Sequence, residues 1–307
     1  MTVIDLTETT ATPEPVAIVA TAEPVPTATP APVASKAVVR RVVRQALLIF
    51  ATFVAGFALY LFVLSALPHA RAQTGLERRF RSELANAVAP VNAPVALGAP
   101  VAVVEIPAIG LHEVVVEGSD ARRLASGPGH VRGTALPGQA GTSIVLGRRT
   151  TFGAPFADLD RLEVGDELTV TAGQGETPYR VRSVERAAAS DASVLVASNA
   201  LLLVTSDPAV VADGRLVVTA TPVGAPQAPG SRVAVELGLD ELGLASDRSV
   251  VGELVLWMQV LVALALGTVV AFRRWRRGPA WVVAVPVLLA VLWVVYERAA
   301  LLLPATL

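Results

Sequence analysis

The sequence predicts a mainly β, closed or nearly closed barrel outside a membrane, tethered by three transmembrane α-helices. Three observations lead there. Uncharged runs at residues 46–67, 254–272 and 278–296 each approach the length that a hydrocarbon core of ~30 Å asks of a helix. Between the first and second lie short apolar runs set off by Gly, Pro and Asp, with almost no helical period. The mean hydropathy is +0.58 and charged residues are 17%, against ~25% in soluble domains. A soluble chain is therefore excluded.

The elements follow in order. Residues 1–45 form a cytoplasmic tail: Thr, Ala, Pro and Val with a few acids to residue 35, read as disordered, then Lys36, Arg40, Arg41 and Arg44. The first span, 46–67, has arginines on both sides and is ambiguous alone. The second and third, 253–272 and 280–298, are joined by a loop at 273–279 containing Arg273, Arg274, Arg276 and Arg277. Such a loop stays cytoplasmic, which places the tail inside and residues 68–250 outside. An uncleaved anchor is the default for the first span, since export-signal cores run about 7–15 residues. Ala70-Arg71-Ala72 is the feature that favours cleavage.

Residues 68–98 hold a juxtamembrane helix with Leu76, Phe80 and Leu84 on one stripe, then a Pro- and Ala-rich linker. Across 99–222 seven strands are expected, at 101–106, 112–116, 143–147, 167–171, 179–184, 201–205 and 215–221, with a hairpin loop at 172–176. Their Val/Leu runs, rather than clean alternation, predict burial on both faces of the central strands. A tether at 223–252, with a short helix near 237–244, leads back to the membrane. Residues 299–307 form a short tail.

Composition excludes several functions. A net charge of −1 argues against a nucleic-acid partner, which needs clustered basic charge on the domain. With no cysteine, thiolate zinc sites, disulfides and cysteine catalysis are all excluded. Asp158, Asp160, Glu163 and Asp166 lack the alternate-position spacing of a calcium loop. No metal and no cofactor are expected. Membrane lipids are expected partners, and the oligomeric state is left open.

Several blocks arrive in order across residues 99–222: EIPAIGL at 105–111, GPGH at 127–130, GTALPG at 133–138, GRRTTFG at 147–153, LEVGDE at 162–167, LVTSDP at 203–208 and RLVVTA at 215–220. Together they resemble the sortases, most closely the class E-like enzymes of high-G+C Gram-positive bacteria. The resemblance implies a sortase-type barrel of about seven to eight strands on the outer membrane face. It also implies an activity: cutting a Leu-Pro/Ala-x-Thr-Gly sorting signal and transferring it to an amine with a Cys nucleophile, a His acid/base and an oxyanion-steadying Arg. Here the Cys position is Ser206, the His position is Arg148, and the Arg is retained as Arg215.

The substitutions are chemically severe. A serine hydroxyl is a weak nucleophile unless a base takes its proton, and a guanidinium stays protonated. General acid–base help contributes roughly 10²–10⁴-fold in rate. The expected function is therefore a membrane-anchored binding or scaffolding module of the cell envelope, a pseudoenzyme, with an envelope protein or a sorting-signal peptide as its partner. The alternative is a working transpeptidase or hydrolase using Ser206, with Arg215 at the oxyanion. His130, in the GPGH block, is the substitute base in that case and otherwise structural. Arg148, Arg215, Ser206, Arg149 and Thr150 are further candidates for an anion or peptide site, since arginine binds carboxylate and phosphate bidentately. The competing reading pairs Arg148 with Asp207 or Asp160 as a filler.

Overall fold

The computed structural model describes residues 36–92, 94–188, 190–191, 195, 197–209, 213–231, 248–274 and 277–307. The expected disordered tail at 1–35 and the short helix near 237–244 lie outside them. The chain divides into two units, Met1–Phe50 and Ala51–Leu307. In the first, described residues from Lys36 onward are helical.

Eight strands close the barrel: β1 (Pro100–Ile106), β2 (Leu111–Glu117), β3 (Gly129–His130), β4 (Ser143–Leu146), β5 (Glu167–Ala172), β6 (Gly175–Ala188), β7 (Leu201–Asp207) and β8 (Gly214–Pro222). Their order around the barrel is β1-β2-β3-β4-β7-β8-β6-β5, and β5 returns to β1. Seven strands are those expected, and β6 runs well beyond its expected end. The eighth, β3, is two residues long, too short for any periodicity to register. It is held by parallel pairing to β2 and antiparallel pairing to β4.

The β5–β6 hairpin turns at Gly173-Gln174, with Ala172 facing Gly175. Gly173 permits the close pass there, because a Cβ on it would lie 2.6 Å from the Pro90 carbonyl oxygen.

Burial on both faces explains the unbroken apolar strands. Along β7 and β8, Leu201, Leu203, Leu216 and Val218 point into the barrel with Val104, Phe156 and Leu168. The alternate residues Leu202, Val204 and Val217 point outward, yet they are buried under Ala121, Leu124, Val131, Val250, Leu301 and Ala305. Period-two alternation assigns the inner and outer sets. The outer set needs a cover, and the chain supplies one.

α1 (Lys36–Leu59) leads through a π-helical turn (Tyr60–Leu64) into α2 (Ala66–Ala85). Within the second unit Phe80 of α2 is buried, while Leu76 and Leu84 are partly so. Gln73 donates to the carbonyls of Val114 and Ser126 and accepts from the Val114 N–H, so α2 grips β2 through one amide. α3 (Ala121–Leu124) is a single turn capped by Asp120, which accepts from the N–H groups of Arg122 and Arg123.

α4 (Val251–Arg274) and α5 (Arg277–Ala300) form the carboxy-terminal hairpin. Among the described residues two helices, Val38–Ala85 and Val251–Arg274, are long and apolar enough to cross a membrane, not the three expected. The third expected span falls on α5, whose early side chains lie outside the described set. Its later turns pack inward, Tyr296 meeting Phe53 and Phe57 at ring-centroid distances of 5.1 and 5.5 Å.

Candidate functional site

The GRRTTFG block leaves β4 and keeps the course of that strand beside β7. Gly147 donates its N–H to the Val204 carbonyl, and Thr205 Oγ1 donates to the Gly147 carbonyl. Gly147 lies flat against Phe156, where a Cβ would come within 2.3 Å of the ring. The loop then turns at Phe152, Gly153 and Ala154, all with positive φ. Ser65 of the preceding helical segment pins it, accepting from the Phe152 N–H at 2.9 Å.

Arg148 is 0% exposed. Nη1 donates to Thr151 Oγ1 at 3.1 Å and Nη2 to the Ala121 carbonyl at 2.9 Å. The guanidinium carbon stands 4.5 Å from the Phe152 ring centroid, a cation–π arrangement. Nε has no partner, and no carboxylate among the described residues pairs with this cation. Burial without an anion lowers its pKa to about 9, well below the ordinary arginine range. At neutral pH it is still cationic and cannot accept a proton.

The acids expected to pair with Arg148 pair with its neighbour instead. Arg149 Nη1 reaches Asp207 Oδ1 at 2.6 Å and the Ser206 carbonyl at 2.8 Å, and Nη2 reaches Asp160 Oδ2 at 2.9 Å. Alternation beyond β4 sends the two side chains to opposite sides: Arg148 follows outward-facing Leu146, while Arg149 turns to the end of β7. Thr150 Oγ1 is buried without a partner.

Ser206 is 0% exposed and directly opposite Arg215 in the β7–β8 register. The two share the outer barrel face with Val204 and Val217. Arg215 makes no hydrogen bond or ion pair among the described residues, and partial burial lowers its pKa. His130 lies elsewhere. Its Nδ1 meets Glu117 Oε2 at 2.8 Å and its Nε2 meets the Ala135 carbonyl and Thr134 Oγ1, both at 2.9 Å. Both ring nitrogens are thus engaged away from Ser206.

The partner that Ser206 does find is unexpected. Its Oγ donates to the Thr306 carbonyl at 3.1 Å. The same carbonyl accepts from the Arg149 N–H at 3.0 Å, and Thr151 Oγ1 donates to the Leu307 carbonyl at 2.7 Å. Ala305, Thr306 and Leu307 are 0%, 2% and 9% exposed. The segment read as a short tail therefore lies over Ser206. Ala121 and Thr306 are site residues that the sequence reading did not single out.

Residues 104–223 match the family model of the sortase domain. Over that stretch the chain carries a sortase domain. Sortase D of Bacillus subtilis (strain 168) is 31% identical over 93 residues, which are 30% of this chain and 46% of that protein. The chain thus spans just under half the length of that relative.

Among solved structures, sortase E of Streptomyces avermitilis is 31% identical, with 43% of this chain and 93% of that chain covered at a TM-score of 0.39. The Clostridium perfringens Sortase D5 transpeptidase is 26% identical, with coverages of 51% and 98% and a TM-score of 0.43. The sortase C of Clostridium perfringens with the C-terminal cell wall sorting motif is 20% identical, with coverages of 50% and 89% and a TM-score of 0.41.

Proposed function

We propose that this chain is a membrane-anchored, extracytoplasmic sortase-fold module that binds or positions a partner in the cell envelope and does not exchange amide bonds. The observation that carries the proposal is the environment of Arg148. A buried cation holds the position that the family resemblance assigns to the base, and its donors are committed to Ala121 and Thr151. The imidazole named as the substitute base, His130, is engaged with Glu117, Thr134 and Ala135. Ser206 lies opposite Arg215 in the β7–β8 register, and its hydroxyl meets a main-chain carbonyl and no base among the described residues.

The proposed placement is multi-pass, with the tail and the 273–279 loop cytoplasmic and the barrel outside. The proposed partners are membrane lipids together with an envelope protein or a sorting-signal peptide.

The test uses the purified full chain in detergent with a Leu-Pro-x-Thr-Gly peptide, an amine acceptor and a serine-directed covalent probe. Peptide turnover and labelling equal to those of Ser206→Ala are expected. Labelling or turnover abolished by Ser206→Ala replaces this reading with that of a serine transpeptidase using Arg215 at the oxyanion.

A further inference from the structure

The outer face of β7 and β8 raises a question that the barrel alone does not answer. Leu202, Val204, Ser206 and Val217 face away from the barrel interior and are nonetheless buried. What buries them beside α3 is the chain beyond α5. Leu301 and Ala305 join the same apolar cluster as Leu146, Leu202, Val204 and Val217.

Three hydrogen bonds fix this segment to the groove. Thr306 offers its carbonyl to the Arg149 N–H and the Ser206 hydroxyl, and Leu307 offers its carbonyl to Thr151. These are backbone carbonyls bound in succession, with side chains packed between, which is how an extended peptide is held in a groove.

We infer that residues 303–307 are a ligand of this groove carried by the chain itself, and that they close it to peptides arriving from outside. The donors are those that a bound peptide carbonyl needs: a main-chain N–H and two hydroxyls, all from the GRRTTFG and VTSDP blocks. The carbonyl set against Ser206 is that of Thr306. The bound segment, Leu303-Pro304-Ala305-Thr306, also spells the Leu-Pro-x-Thr pattern that the family resemblance assigns to sorting signals, with Leu307 where that pattern has Gly.

Tethering strengthens the occupancy. α5 ends at Ala300, so the segment is delivered to the groove at an effective concentration of about millimolar or more, as for any short linker that spans its site. The fit is imperfect: Thr306 Oγ1 is buried without a partner, and an unmet buried hydroxyl opposes docking. The unmet hydroxyl lowers the cost of releasing the segment.

The chain has no cysteine, so Ser206→Cys places a single thiol reporter at the bottom of the groove. In the full chain in detergent, labelling of Ser206→Cys by a maleimide is expected to be at least tenfold slower than in Ser206→Cys/Ala305→Arg, where a charge replaces a buried methyl. Ser206→Cys with Ala305→Gly and Leu307→Gly weakens the same contacts without adding charge, and it serves if the arginine variant fails to fold. Adding a free peptide with the sequence of residues 301–307 to either released protein is expected to slow labelling again.

Equal labelling rates with the segment docked and released, in folded proteins, overturn the inference, as does a released groove that the peptide does not protect. The outcome is separable from the question of chemistry. Turnover by Ala305→Arg with native Ser206, absent in the unsubstituted chain, overturns the inert-site proposal and leaves the occupancy standing.

Discussion

At Arg148 the barrel holds a cation where burial works against it. Its partners are a carbonyl, a hydroxyl and an aromatic face, and Nε has none. Desolvation is the cause of its lowered pKa, about 9 and well below the ordinary arginine range. A base whose pKa is depressed on folding penalises the fold wherever the group is charged in both states. The penalty is thus complete below about pH 9 and shrinks as pH rises from there. Arg148→Met, similar in length and without charge, is expected to raise thermal stability at pH 7, since apolar replacements of buried ionic groups are often neutral or stabilising by about 1–4 kcal/mol. Melting curves between pH 7.5 and 10 check the sign: the advantage of Arg148→Met narrows toward the alkaline end. An advantage independent of pH assigns the effect to packing alone.

Among the elements, the join between α2 and β2 shows how the helical segment and the barrel become one body. Gln73 supplies both a donor and an acceptor to Val114, acting as a short stand-in for a neighbouring strand. Gly127 makes room for it, because a Cβ there would sit 2.1 Å from the Gln73 amide nitrogen. Gln73→Ala leaves the Val114 N–H and carbonyl without these partners, which should cost about 1–3 kcal/mol, read as a lowered Tm. The expected stripe of Leu76, Phe80 and Leu84 is legible in sequence because helical period is local. The pairing of Gln73 with Val114 is not, since it joins residues 41 positions apart. The same limit hid β3, which is held by its neighbours and carries no pattern of its own. It also hid Arg149, whose pairing with Asp160 and Asp207 depends on which side of the loop each arginine leaves.

For the whole molecule, the proposed topology makes a prediction that the absence of cysteine makes clean to test. Glu163→Cys on the exposed barrel surface should be labelled in intact cells by a membrane-impermeant maleimide. Arg274→Cys, at the end of α4, should be labelled only after the membrane is opened. The reverse pattern inverts the placement of the barrel.

Composition and local pattern determined that the chain is mainly a β-barrel joined to long apolar helices, and that no thiol chemistry is available to it. The motif blocks located Ser206, Arg148 and Arg215, because residues that share a strand or a turn are read consecutively. Tertiary structure alone decided what Ser206 meets. Its hydroxyl bonds to Thr306, 100 residues away, and no periodicity or spacing carries that pairing. The occupied groove arises because the outward face of β7 and β8 is apolar and must be covered, and the chain leaving α5 is the segment that returns to cover it.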